Sequence, residues 1–252
     1  MTEVYEVGGR RLGVRWSRPG LDSELRALAS GALGVQDAPA NISIVVGEQT
    51  GRTRSKHELH IQGQLSSTTS SDGGLIRAVI RALGALAAEP PPGSVLVDAL
   101  LVIDPDGNTI AVDRRLAADV RRLGPALRRR GGRLIQPSRL VVRPDRGAAV
   151  LPDATEALGV PVEAVDARWP LEPGDDDLTS GEVTVTRFVY AGRAEPESRA
   201  DALADMLWMV RDRTGRVERT AVARFAAFTD HFPLEAVVRP DRGRLAGALG
   251  LI

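Results

Sequence analysis

Apolar and polar residues alternate over 4–7 and again over 12–16, on either side of Gly8-Gly9, which predicts a β-hairpin. Leu21, Leu25, Leu28 and Leu33 recur near helical spacing behind Asp22-Ser23, so a helix is expected over 21–33. Residues 41–46 read as a strand, 48–56 as a polar turn, 57–65 as a weakly alternating strand and 66–71 as a polar Ser/Thr loop. Asp72-Gly73-Gly74 then opens a helix with Leu75, Ile76, Val79, Ile80, Leu83 and Leu86 on one broad stripe. Glu89-Pro90-Pro91-Pro92-Gly93 ends it and is the clearest boundary in the chain.

The second part opens with the most buried-looking strand of the chain, 94–103, apolar apart from Ser94 and Asp98. Asp104-Pro105-Asp106-Gly107 is turn chemistry, followed by a short strand over 109–112 and a helix over 116–129 that Gly131-Gly132 stops. Strands are expected at 134–135, 140–142, 148–151 and 182–190, with little pattern between 152 and 181 beyond the apolar positions of 160–165. Amphipathic helices over 198–211 and 216–229, a strand over 234–238 and a helical turn over 245–249 close the chain. The order predicts an α/β fold: a mixed sheet with flanking helices, preceded by an N-terminal α+β region. The expected division is residues 1–89 and 94–252. Val-Val-Arg-Pro-Asp-Arg-Gly occurs twice, at 141–147 and 237–243, without similarity around it, so two strand-to-turn junctions with similar needs explain it better than a repeat unit.

Composition removes several kinds of chemistry. The absence of cysteine excludes disulfides, thiolate metal sites and cysteine nucleophiles. The N-terminus, Met1 to Glu6, is acidic and lacks a basic-then-apolar targeting pattern, and no apolar run is long enough to span a bilayer, so the expected location is the cytoplasm with no membrane partner. The formal net charge of zero points to neither nucleic acid nor an anionic surface. Lys56 is the lone lysine among 33 basic residues, so any mechanism that needs an ammonium group must use it.

From Tyr5 to Ile252 the layout resembles the HPr kinase/phosphorylase-like family, in particular its small relatives beside bacterial peptide-modification genes, with a phosphoenolpyruvate carboxykinase-like fold. Val95 to Asp106 lies where those relatives have a His-Ala strand and turn, Arg130 to Pro144 resembles their Gly, strand and Asp-Asp segment, and Ala221 to Val238 their closing helix and strand. The resemblance implies a kinase-like core over 94–252, with departures at each catalytic element. A phosphate-binding loop needs glycines that let backbone N–H groups approach phosphate, a Lys for the β/γ-phosphates and a Ser/Thr for Mg²⁺. The segment 107–116 has Gly107 alone, no lysine and no following Ser/Thr, and an arginine fork is a poor substitute for the compact ammonium. Asp98 stands where the family has His, and Gln136-Pro137-Ser138 where it has the acidic pair. The implied reading is a pseudo-kinase: a non-catalytic binding or scaffold protein without a cofactor, recognising a precursor peptide or partner enzyme of ribosomal peptide natural-product biosynthesis. The alternative is a divergent ATP-dependent kinase acting on a peptide or small protein.

The remaining constellations have ordinary readings beside the functional ones. His57 and His60 are three apart in an expected strand, on opposite faces, which does not make a metal site. Asp175-Asp176-Asp177 lacks the Gly and distal Glu of a calcium loop and reads as a solvated turn, so no metal is expected. The run Ser66–Ser71 offers either an N-cap or hydroxyls for an anion. The helix of 114–133 holds eight arginines, Arg114, Arg115, Arg121, Arg122, Arg128, Arg129, Arg130 and Arg133, the first six of which are the candidate binding residues. That face is either solvated, or neutralised by the acidic 151–200 stretch, or a docking patch for an acidic peptide or partner protein. Nucleic acid fits it poorly because no aromatics are interleaved. A homo-oligomer is a further expected assembly.

Overall fold

The computed structural model describes residues 2–47, 56–137, 139–172, 175, 177–211, 218–238 and 241–252. In chain order the elements begin β1 (Thr2–Val7), β2 (Arg10–Trp16), α1 (Leu21–Leu28), β3 (Ala32–Gln36), β4 (Ile42–Val45), β5 (His57–Ile61), β6 (Gln64–Thr69) and α2 (Asp72–Ala87). They continue β7 (Val95–Val97), β8 (Ala99–Ile103), β9 (Thr109–Asp113), α3 (Ala117–Arg129), β10 (Arg133–Ile135), β11 (Leu140–Arg143), β12 (Ala148–Leu151), α4 (Ala154–Leu158) and α5 (Val162–Arg168). The last are β13 (Gly181–Gly192), α6 (Arg199–Met206), β14 (Val210–Arg211), α7 (Arg219–Thr229), β15 (Leu234–Val238) and α8 (Arg242–Ala248). The chain is an α/β protein with mixed sheets and flanking helices, and it divides into two compact units.

Unit 1 comprises Met1–Glu89 and Pro152–Ser180. Its sheet has the order β3-β1-β2-β4-β5-β6, with β2 and β4 parallel and the other neighbours antiparallel. Tyr5, Val14, Ile42 and Leu59 of the strands close on Leu75, Ile76, Val79, Ile80 and Leu83 of α2. The helix expected over 21–33 stops at Leu28 because the chain turns extended at Ala29 and 32–36 pairs with β1. The strand and loop expected over 57–71 are one hairpin. Gln62 and Gly63 both have positive φ (51° and 80°), the geometry that two-residue hairpin turns require.

Where a single region from 94 to 252 is expected, residues 152–180 return to unit 1. Two arginines hold them. Arg77 is 1% exposed and donates to Asp166 and to the Trp169 carbonyl (2.8 Å); Arg81, one turn on and 3% exposed, donates to the carbonyls of Asp177 and Thr179. The stretch that lacks pattern in sequence contains the short helices α4 and α5. α4 packs so close to α2 that a Cβ on Gly84 would lie 2.3 Å from the Ala154 Cβ.

Unit 2 comprises Pro90–Leu151 and Gly181–Ile252. Its sheet has the order β10-β8-β9-β13-β12-β11-β7-β14, with β15 also on β13. The expected strand 94–103 breaks at Asp98: β7 pairs with β11 and β14, while β8 pairs with β9 and β10. β9, β13 and β15 run parallel. Both faces are covered, which is why these strands are apolar throughout. Leu100, Ile110, Val112 and Val189 pack with Val120 and Leu127 of α3 and Leu245 of α8, whereas Leu101, Ala111, Phe188 and Tyr190 pack with Met206 of α6 and Phe225 and Phe228 of α7. The helix expected over 198–211 ends at Met206 in a 3₁₀ turn, Leu207–Met209, and a short strand. Among the described residues no helix is long and apolar enough to cross a membrane.

Candidate functional site

In open α/β sheets, ligands sit at the carboxyl ends of parallel strands where neighbouring connections leave for opposite faces. Unit 2 has two such points, one on either side of β13, since α3 after β9 and α8 after β15 share one face and α6 and α7 after β13 lie on the other. The β9–β13 point is where the segment expected to carry a phosphate-binding loop lies. The chain leaves β9 into α3 on one face of the sheet and leaves the adjacent β13 toward α6 and α7 on the other. Local sequence explains the abruptness of the first connection. β9 runs to Asp113, and the 3₁₀ turn Arg114–Leu116 leads straight into α3 without a glycine.

The junction is closed by its own side chains. Asp113 is fully buried and caps the helical turn by accepting the Arg115 N–H at 2.8 Å. Its other oxygen accepts the Ala191 N–H of β13 at 3.0 Å and the Arg115 Nε–H at 2.9 Å. The Arg115 guanidinium also donates to the Ala191 carbonyl at 2.6 Å and lies 4.6 Å from the centre of the Trp208 ring. An internal carboxylate thus holds the place at the helix start where an anion would sit, and an internal cation neutralises it. Beside it Arg114 pairs with Asp98 and donates to the Pro137 carbonyl, across the end of β8. At the far end of β9, Asp104 accepts the backbone N–H groups of Asp106 (2.9 Å) and Asn108 (2.8 Å), so the expected turn is fixed by its own carboxylate. Tyr190, buried on β13, has a hydroxyl with no hydrogen-bond partner among the described residues; burial and nearby Asp205 raise its pKa.

The six arginines expected to form one docking patch are divided by these contacts. Arg114 and Arg115 belong to the junction. Arg121 donates to Gln136 at 2.8 Å, and Arg122 pairs with Asp119 at 3.1 Å. Arg128 is half-buried. Arg129 is exposed, as are Arg130 and Arg133, and these three have no ion-pair partner among the described residues. Gln136 and Pro137, expected in place of an acidic pair, serve as acceptors for Arg121 and Arg114, and Ser138 lies outside the described residues.

The other marked residues do not converge. His57 is buried, accepts the Gly47 N–H on Nδ1 and meets Asp72 through Nε2 at 3.2 Å, while His60 pairs with Glu58. His231 contacts the Pro144 carbonyl at 2.9 Å. No group of three or more His, Asp or Glu side chains among the described residues could hold a metal ion. Of the hydroxyl run, Ser71 is the N-cap of α2, accepting the Gly74 N–H at 2.9 Å. Asp175, expected in a solvated turn, is instead 5% exposed and accepts the Ser71 hydroxyl at 2.6 Å; burial raises its pKa. Asp176 lies outside the described residues.

Sequence reasoning missed Asp113 as the hub and Trp208 as the ring against which Arg115 lies. The available signal was a buried-strand pattern ending in an acid immediately before two arginines, Ala111-Val112-Asp113-Arg114-Arg115. The chain matches no protein-family model, no curated protein and no solved structure.

Proposed function

We propose that this chain is a non-catalytic binding or scaffold protein, a pseudo-kinase in the sense of its family resemblance, that recognises an acidic peptide or partner protein. The observation that supports this reading is the Asp113–Arg115 pair at the strand-to-helix junction. A triphosphate would have to displace a buried carboxylate that already satisfies three donors, two of them backbone N–H groups. The same junction leaves arginines for protein contact on and after α3, where Arg129, Arg130 and Arg133 are exposed. Association through such groups is steered by charge and weakens with salt. The resemblance extends the proposal to a precursor peptide or partner enzyme of ribosomal peptide natural-product biosynthesis, an association that rests on layout alone.

Thermal melting with and without Mg²⁺-ATP tests the reading. Nucleotide at about a thousandfold its Kd would stabilise a binding fold by about 4 kcal/mol. The expected result is no shift in melting temperature. A shift of that size, lost when Arg114 and Arg115 are replaced, establishes the kinase alternative instead.

A further inference from the structure

The two ring nitrogens of His57 hold two different elements of unit 1. His57 lies on β5, buried, on the face of the sheet that α2 covers. Its Nδ1 accepts the Gly47 N–H at 3.2 Å, and its Nε2 meets the Asp72 carboxylate at 3.2 Å, on the first residue of α2. The β4–β5 ladder ends at Val45 and Glu58, and Gly47, two residues further on, is held by the ring instead. A carboxylate only accepts, so Nε2 carries the proton and Nδ1 the lone pair. One neutral tautomer thus satisfies both neighbours.

Protonation cannot keep both contacts. An imidazolium donates at each nitrogen and accepts nothing. A proton that enters at Nδ1 faces the Gly47 N–H, so that bond is lost, while the bond to Asp72 gains charge. The surrounding charges leave this outcome to the ring and Asp72. The next charged residue of α2, Arg77, is engaged by Asp166 and the Trp169 carbonyl. Asp175, from the 152–180 segment, accepts from Ser71 at the cap of α2. Lys56 precedes the ring in the chain and is exposed, and Glu58 pairs with His60 on the opposite face of the strand. β4 and β6 carry no charged or imidazole side chain. We infer that His57 is a proton-operated latch on the end of β4: neutral, it holds Gly47 to the sheet; protonated, it releases Gly47 and turns its charge to Asp72. Imidazole is the side chain suited to such a change between pH 5 and 8. The device belongs to unit 1 and stands apart from the binding reading.

Nuclear magnetic resonance of the intact chain, titrated from pH 8 to pH 5, tests it. The ring nitrogen shifts report the tautomer, and at pH 8 His57 is expected with its proton on Nε2 and Nδ1 bare. As the ring takes up its second proton, protection of the Gly47 amide from exchange should fall about fivefold, the factor that one net hydrogen bond supplies. That fall is measured after correction for the intrinsic pH dependence of exchange, and its midpoint should match that of the ring. His57→Asn places a carbonyl oxygen near the position of Nδ1 and does not titrate in this range, so Gly47 should stay protected at pH 5. A ring that remains neutral at pH 5, a ring with its proton on Nδ1 at pH 8, or Gly47 protection that does not follow the titration overturns the inference. So does an equal loss of protection in His57→Asn. Should that variant fail to fold, the wild-type titration alone decides, since tautomer and amide protection are both read there.

Discussion

Replacing Asp113 with Ala should open the strand-to-helix junction, and the size of the effect follows from three contacts. The carboxylate is fully buried and accepts the Arg115 N–H at 2.8 Å, the Arg115 Nε–H at 2.9 Å and the Ala191 N–H at 3.0 Å. Loss of the cap on the helical turn costs about 1 kcal/mol. The Ala191 N–H, left without its acceptor between β13 and the junction, costs about 1–2 kcal/mol. The Arg115 side chain is 39% exposed, so its charge returns to water and the ion pair itself contributes about 0–1 kcal/mol. Together these give about 2–4 kcal/mol, and Asp113→Asn, which keeps one acceptor oxygen, should lose about half of that. Two compact units do not guarantee one cooperative transition, so global melting is the wrong measure. Hydrogen exchange of the β9 and β13 amides reports the local opening free energy directly. A loss below about 0.5 kcal/mol, the range of ordinary surface substitutions, would refute the hub role. So would an equal loss in Asp119→Ala, whose carboxylate pairs with Arg122 and Arg242 further along α3.

Gly84→Ala should destabilise unit 1 by about 1–3 kcal/mol through overpacking, since its Cβ would meet Ala154 at 2.3 Å; urea unfolding of the variant measures it. Arg77→Met removes the donor to the Trp169 carbonyl and should release the 160–180 segment, seen as faster limited proteolysis there and a red shift of tryptophan emission. Arg77→Lys should not restore protection, because one ammonium cannot reproduce the planar fork. Asp175 has its folded pKa raised above the unfolded value of 3.8 by burial, so it binds more protons folded than unfolded and its contribution to stability falls as pH rises through that interval; Asp175→Asn should flatten this limb in melts from pH 3 to 7. Asp153, the N-cap of α4, has the opposite sign: backbone hydrogen bonding lowers its pKa, so its stabilisation is present above 3.8 and is lost as pH falls through its folded value, a limb absent from Asp153→Ala.

Periodicity and turn chemistry are properties of neighbouring residues, and they were legible. The stripe of α2, the β8–β9 hairpin around Asp104, the stop at Gly131-Gly132 and the proline-rich division after Glu89 all follow from spacing that a short segment imposes on itself. The arginines of α3 were legible as residues but not as a site, because whether a guanidinium is free depends on which acid folding brings to it. Asp98 reaches Arg114 from the end of another strand. Arg77 and Arg81 sit at helical positions that sequence alone leaves outside the apolar stripe; only the return of 152–180 buries them. The duplicated heptapeptide provides an internal control. At 141–147 it ends β11 and turns into β12 with Gly147 against His231, whereas at 237–243 it ends β15 and Asp241 caps α8, with Arg239 and Pro240 outside the described residues. Identical residues form a hairpin in one setting and a helix start in the other, because strand pairing and burial outweigh the few tenths of a kcal/mol by which local preferences differ. Sequence therefore determined the strongly periodic helices and strands and the absence of thiol chemistry. Tertiary structure decided which polar groups face one another, since those partners are distant in the chain and only packing brings them within hydrogen-bonding range.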